Sequence, residues 1–193
     1  MTEQTTPTTT GATLAGRRVA ILAGRGVERI ELAAPADAVR AAGGEVVILS
    51  YGPGAEEGRF QSMESDWEKS DVFEVDRAAA DADPADYDAL VLPGGTLNAD
   101  AARIDEGVLG FVRAFGETGR PIAAICHAPW ILIDAGIAAG RRMTSYVAVK
   151  NDLINAGADW SDEELVVDGN LISSRNPGDL DAFCAAVVDA AAK

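Results

Sequence analysis

Cys126 and His127 stand side by side in the segment Ala124-Ile125-Cys126-His127-Ala128-Pro129, directly after the apolar run Ile122–Ile125. A β-like run that passes into a helix with almost no connecting residues puts the corner residue on a tight turn that lifts its side chain above the sheet, a nucleophile elbow. Such a turn needs small residues two before and two after, and Ala124 and Ala128 meet that need. A helix N-terminus beside a thiol also favours its ionised form through the helix dipole. The chemistry this predicts is nucleophilic attack by a Cys126 thiolate. Two more apolar runs end in residues of interest. Arg18–Leu22 leads to Gly24-Arg25-Gly26-Val27-Glu28, and Tyr87–Leu92 runs straight into Pro93-Gly94-Gly95. Ligands of open α/β sheets sit outside the carboxyl ends of strands. If these three strands are neighbours, a carboxylate, a glycine turn with free amides and a thiol meet at one edge.

The elements that must position them follow from periodicity. A helix over Ile30–Ala42 stops at Gly43-Gly44, the usual C-terminal signal, and Val46–Tyr51 is the next strand. Residues 52–83 read as polar and irregular, with one strand at Val72–Val75. Asp105–Thr118 is a helix whose apolar face carries Val108, Leu109, Val112 and Phe115, and a second helix, Ala128–Ala135, follows the cysteine. Asn151–Ala156 is helical, Leu165–Val167 and Leu171–Ser173 form a hairpin around Asp168-Gly169-Asn170, and Asp179–Ala192 is the closing helix. Strands alternating with helices predict an α/β fold with a mostly parallel sheet covered on both faces. The length of 193 residues suits one domain. Threonine-rich residues 1–15 read as a flexible N-terminal tail and residues 16–193 as a single domain.

Composition removes several functions. Acidic residues outnumber basic ones by 31 to 16, for a net charge of −15, which opposes nucleic-acid binding because that needs Lys and Arg to replace phosphate counterions. The two cysteines, Cys126 and Cys184, make no CxxC motif and no disulfide framework, so a cytoplasmic protein is expected. Cys184 lies among Phe183, Val187 and Val188 and reads as core. One histidine rules out a zinc site with two histidines from one chain, and no metal or organic cofactor is expected. No basic segment followed by an apolar stretch opens the chain, so no secretory signal is expected. The longest uncharged apolar segment, Pro121–Ile133, is too short to span a bilayer, so no membrane partner is expected. Gly24 and Gly26 invite a dinucleotide reading, but the third glycine of GxGxxG would fall at Arg29. The pair is better read as a strand-to-helix turn.

Ala124-Ile125-Cys126-His127-Ala128-Pro129 resembles the AICHGP motif of the PfpI/ThiJ superfamily, also described as type 1 glutamine amidotransferase-like or intracellular protease I-like. Val27–Leu32, Leu90–Gly95, Thr144-Ser145-Tyr146, Asp152–Trp160 and Val166–Arg175 fit the same family, so the resemblance covers nearly the whole chain from Arg17. It implies a flavodoxin-like three-layer sandwich with Cys126 as nucleophile. Glu28 would be the acid that hydrogen-bonds the sulfur and tunes its pKa, with Glu31 three residues later as the rival neighbour. The family motif favours Glu28. His127 would serve as base and amide donor, and the backbone N–H groups of Gly95 and His127 would form an oxyanion hole for charge developing on the attacked oxygen. Tyr146 would support the pocket.

In some oligomeric relatives a carboxylate just after the glycine turn reaches the neighbouring subunit's histidine. Here Asn98 stands at the matching place; it can orient an imidazole but cannot pair an imidazolium as a charge would. That weakens a proteolytic reading, and no histidine follows His127 to serve glutamine amidotransfer. The implied activity is that of a stress-protective, cysteine-dependent enzyme acting on small reactive carbonyls or their protein adducts, glyoxalase-like or deglycase-like. The alternatives are an intracellular cysteine peptidase or amidase using the same residues on a peptide, and a redox-sensing chaperone-like protein in which Cys126 oxidises to sulfinate. The family also implies a homodimer or a higher homo-oligomer.

Overall fold

The computed structural model describes residues 13–193. The chain runs β1 (Arg18–Leu22), α1 (Arg29–Ala41), β2 (Glu45–Ser50), α2 (Gly52–Glu57), β3 (Arg59–Glu64), β4 (Glu68–Glu74), β5 (Arg77–Ala78), β6 (Ala89–Leu92) and α3 (Thr96–Ala102). It continues with α4 (Glu106–Glu117), β7 (Ile122–Ile125), α5 (Pro129–Asp134), β8 (Arg142–Met143), α6 (Lys150–Asn155), β9 (Asp159–Trp160), β10 (Leu165–Asp168), β11 (Leu171–Ser174) and α7 (Leu180–Ala191). Among the described residues, seven strands form the main sheet in the order β10-β11-β7-β6-β1-β2-β5. All pair parallel except β10, which returns antiparallel on β11. The three strands whose ends carry the candidate chemistry are β7, β6 and β1, which are consecutive neighbours, so their carboxyl ends lie side by side at one sheet edge.

Successive residues of a strand face opposite sides, and here both sides are covered. Ala20, Leu22, Leu90, Leu92, Ile122 and Ala124 pack with Val108, Val112 and Phe115 of α4 and with Ile131 and Leu132 of α5. Val19, Ile21, Ala89, Val91, Ala123 and Ile125 pack on the other side with Leu32 and Val39 of α1 and Phe183 and Val187 of α7. This is the three-layer α/β sandwich expected, and it explains why β1, β6 and β7 read as continuous apolar runs: a strand buried on both faces has no polar side to show. At the end of α1, Gly43 takes φ +87 and Gly44 N–H donates to Val39 O at 2.9 Å, the helix stop anticipated from the glycine pair.

Two expectations need correction. Residues 52–83 are not irregular: they hold α2 and the antiparallel hairpin β3–β4, with Phe60 of β3 buried and tilted against Phe73 of β4 at a ring separation of 6.0 Å. The tail assigned to residues 1–15 also ends too late. Residues 1–12 lie outside the described residues, but Leu14 is fully buried beside Val39, and its N–H donates to Ala42 O at 2.8 Å. Among the described residues no helix is long and apolar enough to cross a membrane. Leu14→Ala should cost about 2–5 kcal/mol, the usual penalty for emptying a leucine-sized core volume. Urea unfolding measures it, and a loss below about 0.5 kcal/mol would place Leu14 outside the folded unit.

Candidate active site

Cys126 occupies the corner between β7 and α5 with φ +63, a left-handed conformation unusual for a residue other than glycine. Its backbone is clamped on both sides. Its N–H donates to Ser174 O at 3.1 Å, and its carbonyl accepts from Tyr146 N–H at 2.9 Å. The thiol is buried, with the glycine turn after β6 closing over it. A Cβ on Gly94 would lie 2.7 Å from both Cys126 Cβ and Glu31 Oε2, so only glycine fits there. Gly95 has φ +82 and packs against the backbone of Gly26 and Val27. The backbone N–H groups of Gly95 and His127 lie against the sulfur and favour its ionised form.

The carboxyl group at the sulfur belongs to Glu31, not Glu28. Helix α1 starts at Arg29, which leaves Glu28 as the extended residue before it and puts Glu31 in the first turn. Helical side chains lean toward the N-terminus of their helix, so Glu31 drops toward the sheet edge. There Oε2 accepts from Gly94 N–H at 2.8 Å, and the carboxyl group interacts with the Cys126 thiol. Glu28 instead turns toward the β3–β4 hairpin and accepts the N–H groups of Ser65 (3.1 Å) and Asp66 (3.3 Å).

Glu31 is completely buried. Burial pushes its pKa from 4.5 up to about 8, against the opposing pull of the Gly94 N–H. Burial thus favours the neutral carboxylic acid over the carboxylate at neutral pH. Burial also pushes the Cys126 thiol up, and a charged Glu31 adds to that rise, while the N–H groups of Gly95 and His127 oppose it. The helix N-terminus was expected to favour the thiolate, and burial acts against that here. Of these influences, the hydrogen bonds from Gly95 and His127 are the ones that favour the ionised sulfur.

His127 Nδ1 lies 3.2 Å from Cys126 Sγ. The ring stacks on Tyr146, 4.7 Å between centroids, and faces Trp130 at 5.3 Å. Tyr146, expected to support the pocket, covers one face of the His127 ring, and Trp130 joins it unforeseen. Burial lowers the imidazole pKa, with Asp66 acting against that shift. Nε2 faces Thr96 Oγ1, which in turn meets Asp66; neither residue was anticipated. Asn98 does not point outward to a histidine. It is fully buried, its Oδ1 accepting from Gly24 N–H (2.8 Å) and Tyr51 OH (3.0 Å), and its Nδ2 donating to Pro93 O (3.0 Å) and Gly94 O (2.9 Å). An amide buried among backbone groups satisfies both its donors and its acceptor only by facing them. Asn98 therefore stitches the glycine turn to the ends of β1 and β2.

Cys184, half-buried on α7, has its thiol pushed up to about 12 by burial and takes no part in the site. Among the described residues no group of three or more His, Cys, Asp or Glu side chains could hold a metal ion. A cavity of about 640 Å³, lined in part by Arg17, Asp88, Arg120 and Asp189, opens at the opposite, amino-terminal ends of the strands and contains none of the site groups.

A buried thiol on a left-handed corner at the carboxyl edge of a parallel sheet, with a carboxylic acid against it, defines an α/β protein with a candidate cysteine nucleophile. The description of the DJ-1/PfpI family matches residues 17–190, and the chain belongs to that family. A deglycase of Thermococcus kodakarensis is 41% identical over 166 residues, covering 86% of this chain and 94% of that one. A Bacillus subtilis relative, provisionally named a cysteine protease, is 37% identical over 167 residues, with 86% and 94% covered. Among solved structures, Drosophila melanogaster DJ-1beta is similar with a TM-score of 0.80 and 30% identity, over 92% of this chain and 91% of that one.

Two measurements check this geometry. Gly94→Ala forces the new methyl against Cys126 and Glu31 and should cost about 1–3 kcal/mol in urea unfolding. Between pH 4.5 and about 8 the folded chain keeps a proton on Glu31 that the unfolded chain has lost. Glu31 therefore withdraws stability as pH rises through that window. The melting temperature should fall more steeply from about pH 5 to about pH 8 in the wild type than in Glu31→Gln, whose amide does not titrate. Equal slopes would place the proton elsewhere.

Proposed function

We propose that the protein is a cysteine-dependent deglycase that removes small-carbonyl adducts from thiols and amines. The observation that carries this reading is the pairing of a buried Cys126 thiol with a neutral Glu31 carboxyl, beneath two backbone N–H groups. The deglycase name of the Thermococcus relative supports it. The corner at Cys126 then acts as a nucleophile elbow, presenting Sγ to a carbonyl carbon. As the S–C bond forms, the carbonyl oxygen gains negative charge that the Gly95 and His127 N–H groups are placed to hold. The Glu31 O–H stabilises the sulfur anion without needing a cationic partner. His127, with Nδ1 3.2 Å from Sγ, is within reach to accept the thiol proton.

Aldehyde adducts suit such a nucleophile because a soft thiolate adds to them without a strong base. The net reaction consumes one water and releases the free thiol or amine with a hydroxy acid. The aldehyde carbon is oxidised and the neighbouring ketone reduced within the substrate, so no external electron carrier enters. The working form in this reading is cytoplasmic, and is a homodimer or larger homo-oligomer. Trp67, Leu97 and Val147 support an oligomer, since they are apolar yet exposed and directly follow Asp66, Thr96 and Tyr146.

A peptidase or amidase remains the second reading, favoured by the provisional name of the Bacillus relative and by the close His127–Cys126 pair. The deciding assay incubates the protein with methylglyoxal-treated N-acetylcysteine and quantifies lactate directly, because reversible thiol adducts imitate substrate loss. Lactate in molar excess over enzyme, abolished in Cys126→Ala and reduced roughly 10²-fold or more in Glu31→Gln, is expected. Lactate no higher than in Cys126→Ala, together with Cys126-dependent cleavage of casein, would replace this reading with the peptidase.

A further inference from the structure

The β3–β4 hairpin lies outside the main sheet and yet reaches the reaction centre. Its turn, Glu64-Ser65-Asp66-Trp67, closes with Trp67 N–H donating to Glu64 O at 3.2 Å. Ser65 and Asp66 take φ +53 and φ +64. Two successive left-handed residues make the tight turn that right-twisted hairpins favour, but here neither is glycine. Strain of this kind persists where surrounding contacts hold it and gathers at functional sites. The holding contact is Glu28, whose two carboxylate oxygens accept the N–H groups of Ser65 and Asp66.

What the strained turn delivers is the Asp66 side chain. Its Oδ1 accepts from Thr96 N–H at 2.8 Å and its Oδ2 from the Thr96 hydroxyl at 2.7 Å. Thr96 Oγ1 lies 3.4 Å from His127 Nε2, and His127 Nδ1 lies 3.2 Å from Cys126 Sγ. The contact at 3.4 Å is long, as contacts in a substrate-free site often are. The protons along this chain can be counted. A hydroxyl has one proton, and an ionised carboxylate has none to give back. The Thr96 proton is committed to Asp66, so Oγ1 meets the imidazole only as an acceptor. Nε2 must then carry the ring proton, and the Nδ1 lone pair faces the thiol.

We propose that Asp66 and Thr96 are positioning residues that hold His127 as the Nε2–H tautomer, leaving Nδ1 free to take the proton of Cys126. In that step the S–H bond breaks and an Nδ1–H bond forms, with no change of oxidation state. The imidazolium so made keeps Thr96 as acceptor on its far side and the Asp66 charge behind it. Asn98, the residue expected to serve a histidine, is turned inward and engaged by backbone, so Asp66 supplies from the same chain the charge that Asn98 lacks.

Among the described residues the titratable and charged groups around the ring are few. Cys126 with Glu31 behind it lies on one side, and Asp66 with Glu28 behind its turn on the other. Tyr146 covers a ring face. Beyond Trp130 stand Asp152, which its indole N–H meets, and Arg103, which packs over it and pairs with Asp134. Of these, Asp66 is the group that acts against burial to favour the charged ring. The inference rests on Cys126 being the nucleophile and is independent of the substrate's identity.

His127 is the only histidine, so a protein labelled with nitrogen-15 in histidine reports this single ring. The expected wild-type spectrum has Nε2 protonated and Nδ1 bare. In Asp66→Asn and Thr96→Val the tautomers should mix and the ring should titrate at lower pH. Iodoacetamide alkylation of Cys126 at pH 7 should slow roughly tenfold in both, equivalent to one pKa unit. Thr96→Ser, which keeps the hydroxyl, should behave as the wild type. A wild-type ring protonated on Nδ1 would overturn the proposal without any variant. So would unchanged spectra and alkylation rates in Asp66→Asn and Thr96→Val proteins whose circular dichroism shows them folded. Because neither readout uses a deglycase substrate, absence of lactate in the assay above would leave this test intact.

Discussion

The burial of one carboxyl group against one thiol sets the terms for the rest of the site. Glu31 and Cys126 come from a helix and a strand end that are far apart in sequence, and they meet because Gly94 has no side chain to separate them. A carboxylate so deeply buried without a cation would be costly, so the group keeps its proton. That proton changes what the thiol sees. A charged neighbour would suppress ionisation of the sulfur, whereas a neutral acid can donate to the anion. The parallel sheet, the left-handed corner and the glycine turn all serve to hold this pair in a dry place. Asn98 holds the glycine turn itself, by bonding Gly24, Pro93 and Gly94 at once.

Around that pair the structure distributes protons along a line. Glu31 donates toward sulfur from one side, and His127 faces it from the other. Asp66 and Thr96 sit beyond the imidazole and decide which of its nitrogens is bare. The two glutamates of the first loop therefore share the work. Glu31 touches the sulfur, while Glu28 reaches the same centre two links away by fixing the hairpin turn that carries Asp66.

Much of the framework could be read from residue order alone, for physical reasons. Strands β1, β6 and β7 are apolar without interruption because both faces are covered, and the small residues around Cys126 announce a tight corner. Glu28 and Glu31 were harder to separate. They stand three residues apart, and only the helix start at Arg29 decides that Glu31 points at the sheet edge. The hairpin was hidden because its strands, Arg59–Glu64 and Glu68–Glu74, are largely polar, as a two-stranded ribbon exposed on one side can be. Its turn carries Ser65-Asp66 rather than a glycine pair, so it lacked the usual turn signal. Asn98 was expected to face a histidine, but the surrounding carbonyl and N–H groups hold it buried in the glycine turn. Boundary differences of one or two residues elsewhere reflect frayed ends and carry no functional weight.

The claim most exposed to refutation is that Glu31 is a neutral acid beside Cys126 at physiological pH. Infrared spectroscopy at pH 7, comparing the native protein with protein alkylated at Cys126, addresses it directly, since a protonated carboxyl has a carbonyl stretch that a carboxylate lacks. The account predicts such a band in the wild type and in Glu28→Gln, shifted when the sulfur is capped, and absent from Glu31→Gln. A band that persists in Glu31→Gln, or that disappears in Glu28→Gln, would contradict it and return the role to another carboxyl group.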